Sequence, residues 1–301
     1  MSIRRSCHLL GFSRQAYYKP QALRRELVGL EDGLRSLILS ARVACPGLGC
    51  RPIYYAHADQ LSIGRDKFEA LAAELGLQVK RNTRYIRTTK SDQRKFDNLL
   101  IDKQVRSINE VWQADMTYYL KGSKWYYLMF ITDVYSQRIL GYGAYSRASA
   151  VHFKEVLKQA IATRKKDGYT NLSGLIHHSD GGRQYEERSY REYCKGKGLK
   201  QSMCYYSWEN PYAEKTNDLI KNRYLNYWKP TNLHELRLCL KQAVEHHNKF
   251  QQKRVLNNST PIDFEWKIKS MESSPSNYTL NLKPSKPRTK NKKYKLVEIS
   301  E

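Results

Sequence analysis

The sequence predicts an α/β protein: a mixed five-stranded sheet with flanking helices, preceded by a helical helix-turn-helix-like region. Three observations predict it. From residue 111 the apolar pattern switches to a period of two, as in a half-buried strand. Two short connections, Lys121-Gly122-Ser123-Lys124 and Tyr135-Ser136-Gln137, join three strand-like runs in the manner of hairpins. Helical and strand-like segments then alternate as far as residue 228, which sets helices against the sheet.

Before residue 111 the pattern is helical. Residues 1–20 hold a short helix, a tight turn at Gly11, and Ser13 as N-cap of a following helix. This stretch reads equally as the back half of a helix-turn-helix and as a frayed helical piece. Residues 22–42 continue as a helix until Pro46, Gly47 and Gly49 break it. A helix is expected near Arg51–Asp59, a turn at Ser62-Ile63-Gly64, and a second helix over Asp66–Leu75 closed by Gly76. Two short helices and a tight turn make a helix-turn-helix-like pair; a plain helical hairpin is the simpler alternative. Residues 80–95 carry seven Lys/Arg against one Asp and read as a basic linker able to lie along phosphates.

In the first strand, Val111–Leu120, one face holds Trp112, Ala114, Met116, Tyr118 and Leu120. The other face holds Gln113, Asp115 and Thr117. Trp125–Ile131 is a continuous apolar run suited to a central strand, and Arg138–Tyr145 is the third strand. Ser149–Arg164 reads as a helix, Gly174–Ser179 as a strand, Tyr190–Lys195 as a helix, Leu199–Met203 as a strand, and residues 212–228 as a helix. Residues 231–268 are expected to be helical through Asn248 and irregular afterwards. Residues 283–295 hold seven Lys/Arg and no acid, so the tail reads as disordered and in touch with DNA.

Charge narrows the function. Among 301 residues there are 53 Lys/Arg and 29 Asp/Glu, a net charge of +24. Mean hydropathy is −0.74. That excess fits a polyanionic partner, nucleic acid before an acidic membrane, and is too large for an ordinary metabolic enzyme. No run approaches 18 apolar residues, and residues 1–20 lack the apolar stretch of a secretory signal. No membrane association is expected, and the six scattered cysteines read as free thiols in a reducing cytoplasm. Cys45 and Cys50 with His57 have neither the spacing nor the fourth ligand of a zinc site.

Three acids stand out by position. Asp115 projects from the polar face of the first strand. Asp180 ends the fourth strand, where Gly181-Gly182 permit a sharp turn. Glu214 lies in the first turn of the 212–228 helix and shares a face with Lys221, seven residues on and roughly 10 Å along the axis. Three clustered carboxylates repel unless cations bridge them, and hard divalent ions with oxygen ligands suit that purpose. Two such ions can activate one oxygen and stabilise another in an in-line phosphoryl displacement. Asp133, which ends the second strand, is the structural acid by the same reading.

The local sequence adds a resemblance. Trp112-Gln113-Ala114-Asp115-Met116-Thr117-Tyr118, Ile131-Thr132-Asp133-Val134-Tyr135-Ser136, His178-Ser179-Asp180-Gly181-Gly182-Arg183-Gln184-Tyr185 and Glu209-Asn210-Pro211-Tyr212-Ala213-Glu214 followed by Lys221 resemble the second-reading-frame transposases of the insertion-sequence-three family. The likeness runs from Leu10 to about Phe264. It implies an RNase-H-like, retroviral-integrase-like catalytic core with a triad of Asp115, Asp180 and Glu214. It also implies two Mg²⁺, with Mn²⁺ as a substitute, held by the same three residues, and DNA contacts at Lys221, His178 and Arg183. By the same resemblance, water releases a 3′-hydroxyl at an element end and that hydroxyl attacks target DNA. The implied partners are DNA ends and target, further copies of the chain on DNA, and an upstream-frame helix-turn-helix protein or fusion. The implied location is the bacterial cytoplasm, at the nucleoid. The resemblance divides the chain into a partial helix-turn-helix over 1–21, a DNA-binding region over 22–85, a basic linker over 86–105, the catalytic core over 106–268 and a basic tail over 269–301.

Two departures stand beside it. Only 33 residues separate Asp180 from Glu214, fewer than the family spacing, which raises Glu209 as an alternative acid; Glu209, however, has no lysine seven residues on. The family's Tyr-Asn-x-x-Arg-x-His pattern appears here as His247-Asn248-Lys249-Phe250-Gln251-Gln252-Lys253. A non-catalytic DNA-binding protein, an inactive copy, or a nuclease that never joins strands are the alternative functions.

Overall fold

The structure, a computed structural model, describes residues 3–79, 95–204, 206, 209–270 and 280–281. It divides into two compact units, residues 1–80 and 81–301.

In the first unit α1 spans Ile3–Leu9, and Gly11 turns the chain at φ +71°. Ser13 then caps α2, Arg14–Ala44, by accepting from the Ala16 N–H at 3.0 Å. Pro20 lies inside α2 without ending it, so one helix crosses the boundary expected at residue 21. α3 (Cys50–Ala56) and α4 (Arg65–Glu74) pack Ile53, Phe68 and Ala72 against Leu34 and Ile38 of α2. Gly76 closes α4 at φ +68°, with the Leu77 N–H reaching Ala72 O at 2.8 Å, the Schellman arrangement the sequence predicts.

The second unit is built on five strands: β2 (Val111–Lys121), β3 (Lys124–Asp133), β4 (Ile139–Tyr145), β5 (Ile176–Ser179) and β6 (Lys200–Met203). Their order is β4-β3-β2-β5-β6. The first three pair antiparallel as a meander, and β5 and β6 add in parallel beside β2. This is the mixed five-stranded sheet that the sequence predicts. Parallel neighbours need crossovers, supplied here by α5 (Ala150–Lys166) between β4 and β5, and by α6 (Arg183–Glu186) and α7 (Arg188–Gly196) before β6. A short β1, Gln104–Val105, pairs with β7, Leu280–Asn281. Pieces of the expected linker and tail therefore meet in a ladder. Residues 80–94 and the rest of the basic tail lie outside the described residues.

The even residues of β2 face the core, as the alternation predicts. Trp112 and Ala114 pack with Met129, Ile131 and Leu140 against Phe153, Val156, Leu157 and Ala160 of α5. β4 approaches α5 so closely that a Cβ on Gly141 would collide with the Val156 carbonyl and lie 3.1 Å from Ala160 Cβ. The expected 212–228 helix is α8 (Pro211–Ile220), a π turn over Lys221–Leu225, and α9 (Asn226–Trp228). α10 covers Leu233–Lys249 and packs on β4.

Residues 261–270 are not irregular. They form α11, Pro261–Ser270. Thr260 Oγ1 accepts the Asp263 N–H at 3.1 Å, and proline opens the first turn, both ordinary start signals. Phe264 fills the core beside Tyr135. Glu265 is buried and takes hydrogen bonds from Arg164 at 2.7 and 2.8 Å and from Arg138 at 2.6 Å. Asp133 is buried in the same network, 3.2 Å from Arg164, and accepts the Asn109 and Ser136 N–H groups at 2.8 and 2.9 Å. It is structural, as its position suggested.

Candidate catalytic carboxylates

Strand register builds the site. Gln113 pairs with His178 and Ala114 with Ser179 across the parallel β2–β5 ladder. Asp115 and Asp180 are the next residues along, side by side and on the face opposite Trp112. α8 is laid across that face by side chains from both elements. Gln113 Oε1 accepts the Tyr212 N–H at 2.9 Å and the Ala213 N–H at 3.4 Å, satisfying first-turn donors that have no partner within the helix. Asn210 Nδ2 donates to Ala114 O at 2.9 Å, and Thr132 and Thr216 hydroxyls meet at 3.1 Å. Asn217 Nδ2 donates to Asp115 Oδ2 at 2.7 Å. Glu214, three residues before Asn217, is thereby on the Asp115 side of the helix.

The acids feel one another. Burial pushes the Asp115 carboxyl well above the usual aspartate value, Asp180 pushes it further, and Glu214 adds to the rise. The Met116 N–H and the Asn217 amide oppose this without reversing it. Asp180 is raised by burial against the pull of the Gly182 N–H, 3.2 Å from its Oδ1. Among the described residues, no three His, Cys, Asp or Glu side chains are drawn close enough to close round one ion. Asp115 is the member on which the fields of the other two converge.

Gly182 serves the site by its size. Its φ is an ordinary −69°, but a Cβ there would collide with the Gln184 amide and come within 3.0 Å of Asp180 Oδ1. The backbone bends at Gly181, as the glycine pair suggests, and Gly182 adds space beside Asp180.

The other expected site residues divide. Lys221 opens the π turn, is half-buried, and donates to Thr117 Oγ1 at 3.2 Å on the polar face of β2. Burial lowers its pKa, opposed by Asp218. Arg183 is exposed at the start of α6, next to Gly182. His178 does not reach a DNA surface. Its ring is fully buried, its Nδ1 pairs with Ser202 Oγ at 2.9 Å, and burial lowers its pKa to about 3, so it is a neutral packing group. His177 is also buried and meets the Tyr190 hydroxyl at 2.6 Å. Glu209 turns away from the acids, accepting from Asn98 Nδ2 at 2.9 Å and from the Tyr206 N–H at 3.2 Å. Tyr205 and Trp208, just before Glu209, lie outside the described residues. His247 and Asn248 have structural partners: Asn248 exchanges hydrogen bonds with Ile139 N and O at 3.0 and 2.8 Å, and His247 Nε2 meets Gln137 O at 3.1 Å.

Sequence reasoning missed Gln113, Asn210 and Asn217, the amides that seat α8 beside Asp115. The signal was present: Gln113 shares the strand face of Asp115, and Asn217 shares the helix face of Glu214.

Residues 106–206 match the Integrase core domain family. That match spans Asp115 and Asp180 and stops short of Glu214. The chain is 29% identical over 279 residues to the 31 kDa protein of insertion element IS600 from Shigella sonnei, covering 88% of this chain and 99% of that one. It is 30% identical over 95 residues to transposase InsF for insertion sequence IS3A from Escherichia coli K12, covering 32% and 31%. The chain carries an integrase core domain and is similar to transposases of insertion sequences. A further relative, the transposase for insertion sequence element IS629 of Shigella sonnei, is 27% identical over 209 residues, 68% of this chain and 69% of that one. In this sheet Asp115 and Asp180 sit where the interior strands β2 and β5 run parallel, and Glu214 sits on α8.

Proposed function

We propose that Asp115, Asp180 and Glu214 are the carboxylates with which this transposase cuts DNA at the ends of its element and joins those ends to target DNA. The observation that supports this most is the Asp115 carboxyl, set beside Asp180 by strand register and within the field of Glu214. Both hydrogen bonds to Asp115 come from neutral donors, Met116 N–H and Asn217 amide, so they orient the carboxylate without neutralising the group.

The donor set fits hard divalent cations. Three carboxylates offer only oxygen, and their mutual repulsion is what a cation relieves. Two Mg²⁺, with Mn²⁺ as substitute, supply Lewis acidity at the attacking and leaving oxygens when bound. Asp115 would hold both, with Asp180 and Glu214 each holding one. Asn217 holds Asp115 in one rotamer, and the Gln113-anchored helix holds Glu214 in register with the strand. Lys221 presents an ammonium seven residues along the same helix, where it can fix a backbone phosphate.

On this reading, the oxygen of water bonds to phosphorus and a 3′-oxygen leaves as the free hydroxyl. That hydroxyl then attacks a target phosphate and expels a target 3′-oxygen, so the joining step exchanges one phosphodiester for another. The partners are element ends, target DNA and further copies of the chain on DNA, with an upstream-frame protein or fusion supplying end recognition. Residues 22–85 are assigned to DNA binding and 106–268 to catalysis. No helix among the described residues is long and apolar enough to cross a membrane.

The test is strand transfer by the full chain on a pre-cut element end, beside cleavage of an uncut end. Joined product in Mg²⁺ is expected from the parent and none from Asp115→Asn. Cleaved ends that never join would identify a nuclease instead.

A further inference from the structure

The side of α8 turned from the carboxylates holds a group of cations that the proposed chemistry does not use. Lys215, in the turn after Glu214, and Lys253, after α10, line a small cavity with Thr132, Gln137, Thr216 and His247. Its volume is about 10 Å³, room for one oxygen-sized occupant. Arg223, in the π turn, acts electrostatically on both lysines. Among the described residues none of the three cations forms an ion pair. Burial and the neighbouring positive charges disfavour the Lys253 ammonium, a cost that a bound anion would offset.

The cavity wall also presents an unanswered donor. Lys253 Nζ donates to Gln137 Oε1 at 3.1 Å. That bond engages the oxygen end of the Gln137 amide. The amide nitrogen, buried, has no hydrogen-bond partner among the described residues. Gln137 is held there by a left-handed backbone, φ +55°, and by His247 on its carbonyl. Three cations and an orphaned N–H call for an acceptor with negative charge.

We propose that Lys215, Arg223 and Lys253, with Gln137 Nε2, form an oxyanion site that takes a phosphate group of the DNA backbone. One non-bridging oxygen matches the size of the cavity, and the cations at its mouth match the charge of the rest. Lys215 follows Glu214 directly in α8, so a strand held here lies one helix flank away from the carboxylates. The site is independent of the carboxylate assignment, since binding is read without cleavage.

The test compares the full chain with Lys215→Gln/Arg223→Gln. Lys165→Gln/Lys166→Gln, which removes two exposed lysines at the end of α5, is the charge-matched control. Lys215→Arg/Arg223→Lys keeps both charges and reports on folding. Melting is followed in sodium phosphate against sodium chloride at equal ionic strength. DNA binding is followed on duplexes bearing single neutral methylphosphonates in place of phosphates. The expected result is one duplex position whose neutralisation weakens the parent, the control and the charge-keeping pair but leaves Lys215→Gln/Arg223→Gln unaffected. The log–log salt slope of that variant should be shallower by about 0.9 for each phosphate it no longer neutralises. A phosphate-specific rise in Tm that disappears only in the Gln variant, without such a position, would assign the same oxyanion site to a free anion. Equal phosphate effects in all four proteins together with no variant-dependent duplex position would overturn the proposal.

Discussion

Asp115 is oriented by neutral donors while two other carboxyls push against its charge. A group so placed costs stability in the metal-free chain. Asp115→Asn is therefore expected to stabilise the metal-free protein by about 0.5–2 kcal/mol, the usual gain on relieving a functional site, as read by urea unfolding in chelator. The parent, not the variant, should gain Tm on adding Mn²⁺. Asn217→Ala removes the 2.7 Å bond to Asp115 and is expected to slow cleavage about 10–100-fold with DNA affinity unchanged, the typical effect of losing a group that orients a metal ligand. Parental single-turnover rates would show that the amide orients nothing. Lys221→Ala is expected to lower cleavage more than binding, since misplacing the reacting phosphate by about 1 Å can cost on the order of 100-fold in rate. Equal losses of rate and affinity would leave Lys221 without a positioning role. Strand parity and helix turn made each of the three acids a candidate, and the resemblance grouped them as a set; the structure brings the fields of Asp180 and Glu214 onto Asp115. His178 was misjudged because its parity puts it on the strand face of Asp180, and period-two reasoning cannot tell a ring that reaches the site from one that is buried against Ser202.

α11 shows what one element contributes. Its Glu265 ties the end of the second unit to the β3–β4 turn and α5 through Arg138, Arg164 and Ser136. Burial pushes the Glu265 carboxyl up, but the two arginines and the serine more than reverse that and hold it below the ordinary glutamate value. A carboxyl with a lowered folded pKa contributes stability that is present above its unfolded value and lost as pH falls through the lowered one. Glu265→Gln is expected to cost about 1.5–3 kcal/mol at neutral pH, the usual worth of hydrogen bonds to charged groups. Measured by urea unfolding across pH, that difference should shrink in acid. A pH-independent difference would mean that the carboxylate charge is not what holds α11. The helix was missed because its start signal, Thr260-Pro261-x-Asp263, lies after the irregular stretch behind Asn248, and its buried face includes a glutamate that pattern reading treats as exposed. The π turn at Lys221–Leu225 was equally hidden, since the apolar stripe Ala213, Thr216, Ile220, Tyr224 fits a plain helix. The five strands were legible from their apolar patterns and the turns between them, whereas the parallel placement of β5 and β6 beside β2 emerges only in the fold.

At the scale of the whole chain, a net charge of +24 surrounds a site made of acids. On the proposed function, affinity and chemistry are separated: basic residues hold DNA, and carboxylates act on it. Binding by this chain should fall steeply with salt, at about −0.9 in log–log slope per phosphate neutralised, and discriminate only modestly between element ends and other DNA. Gel-shift titrations across salt would show this, and a salt-insensitive, end-specific complex would contradict it. The carboxylate site itself is tested most directly by single-turnover cleavage of a labelled element end in Mg²⁺, comparing Glu214→Gln with Glu209→Gln at matched DNA occupancy. These are the two acids that the shortened spacing after Asp180 left in competition, and the structure sets only the first beside Asp115. Glu214→Gln is expected to abolish cleavage while Glu209→Gln retains it within a few-fold of the parent. Cleavage at the parental rate by Glu214→Gln, or its loss in Glu209→Gln alone, would contradict the assignment of Asp115, Asp180 and Glu214.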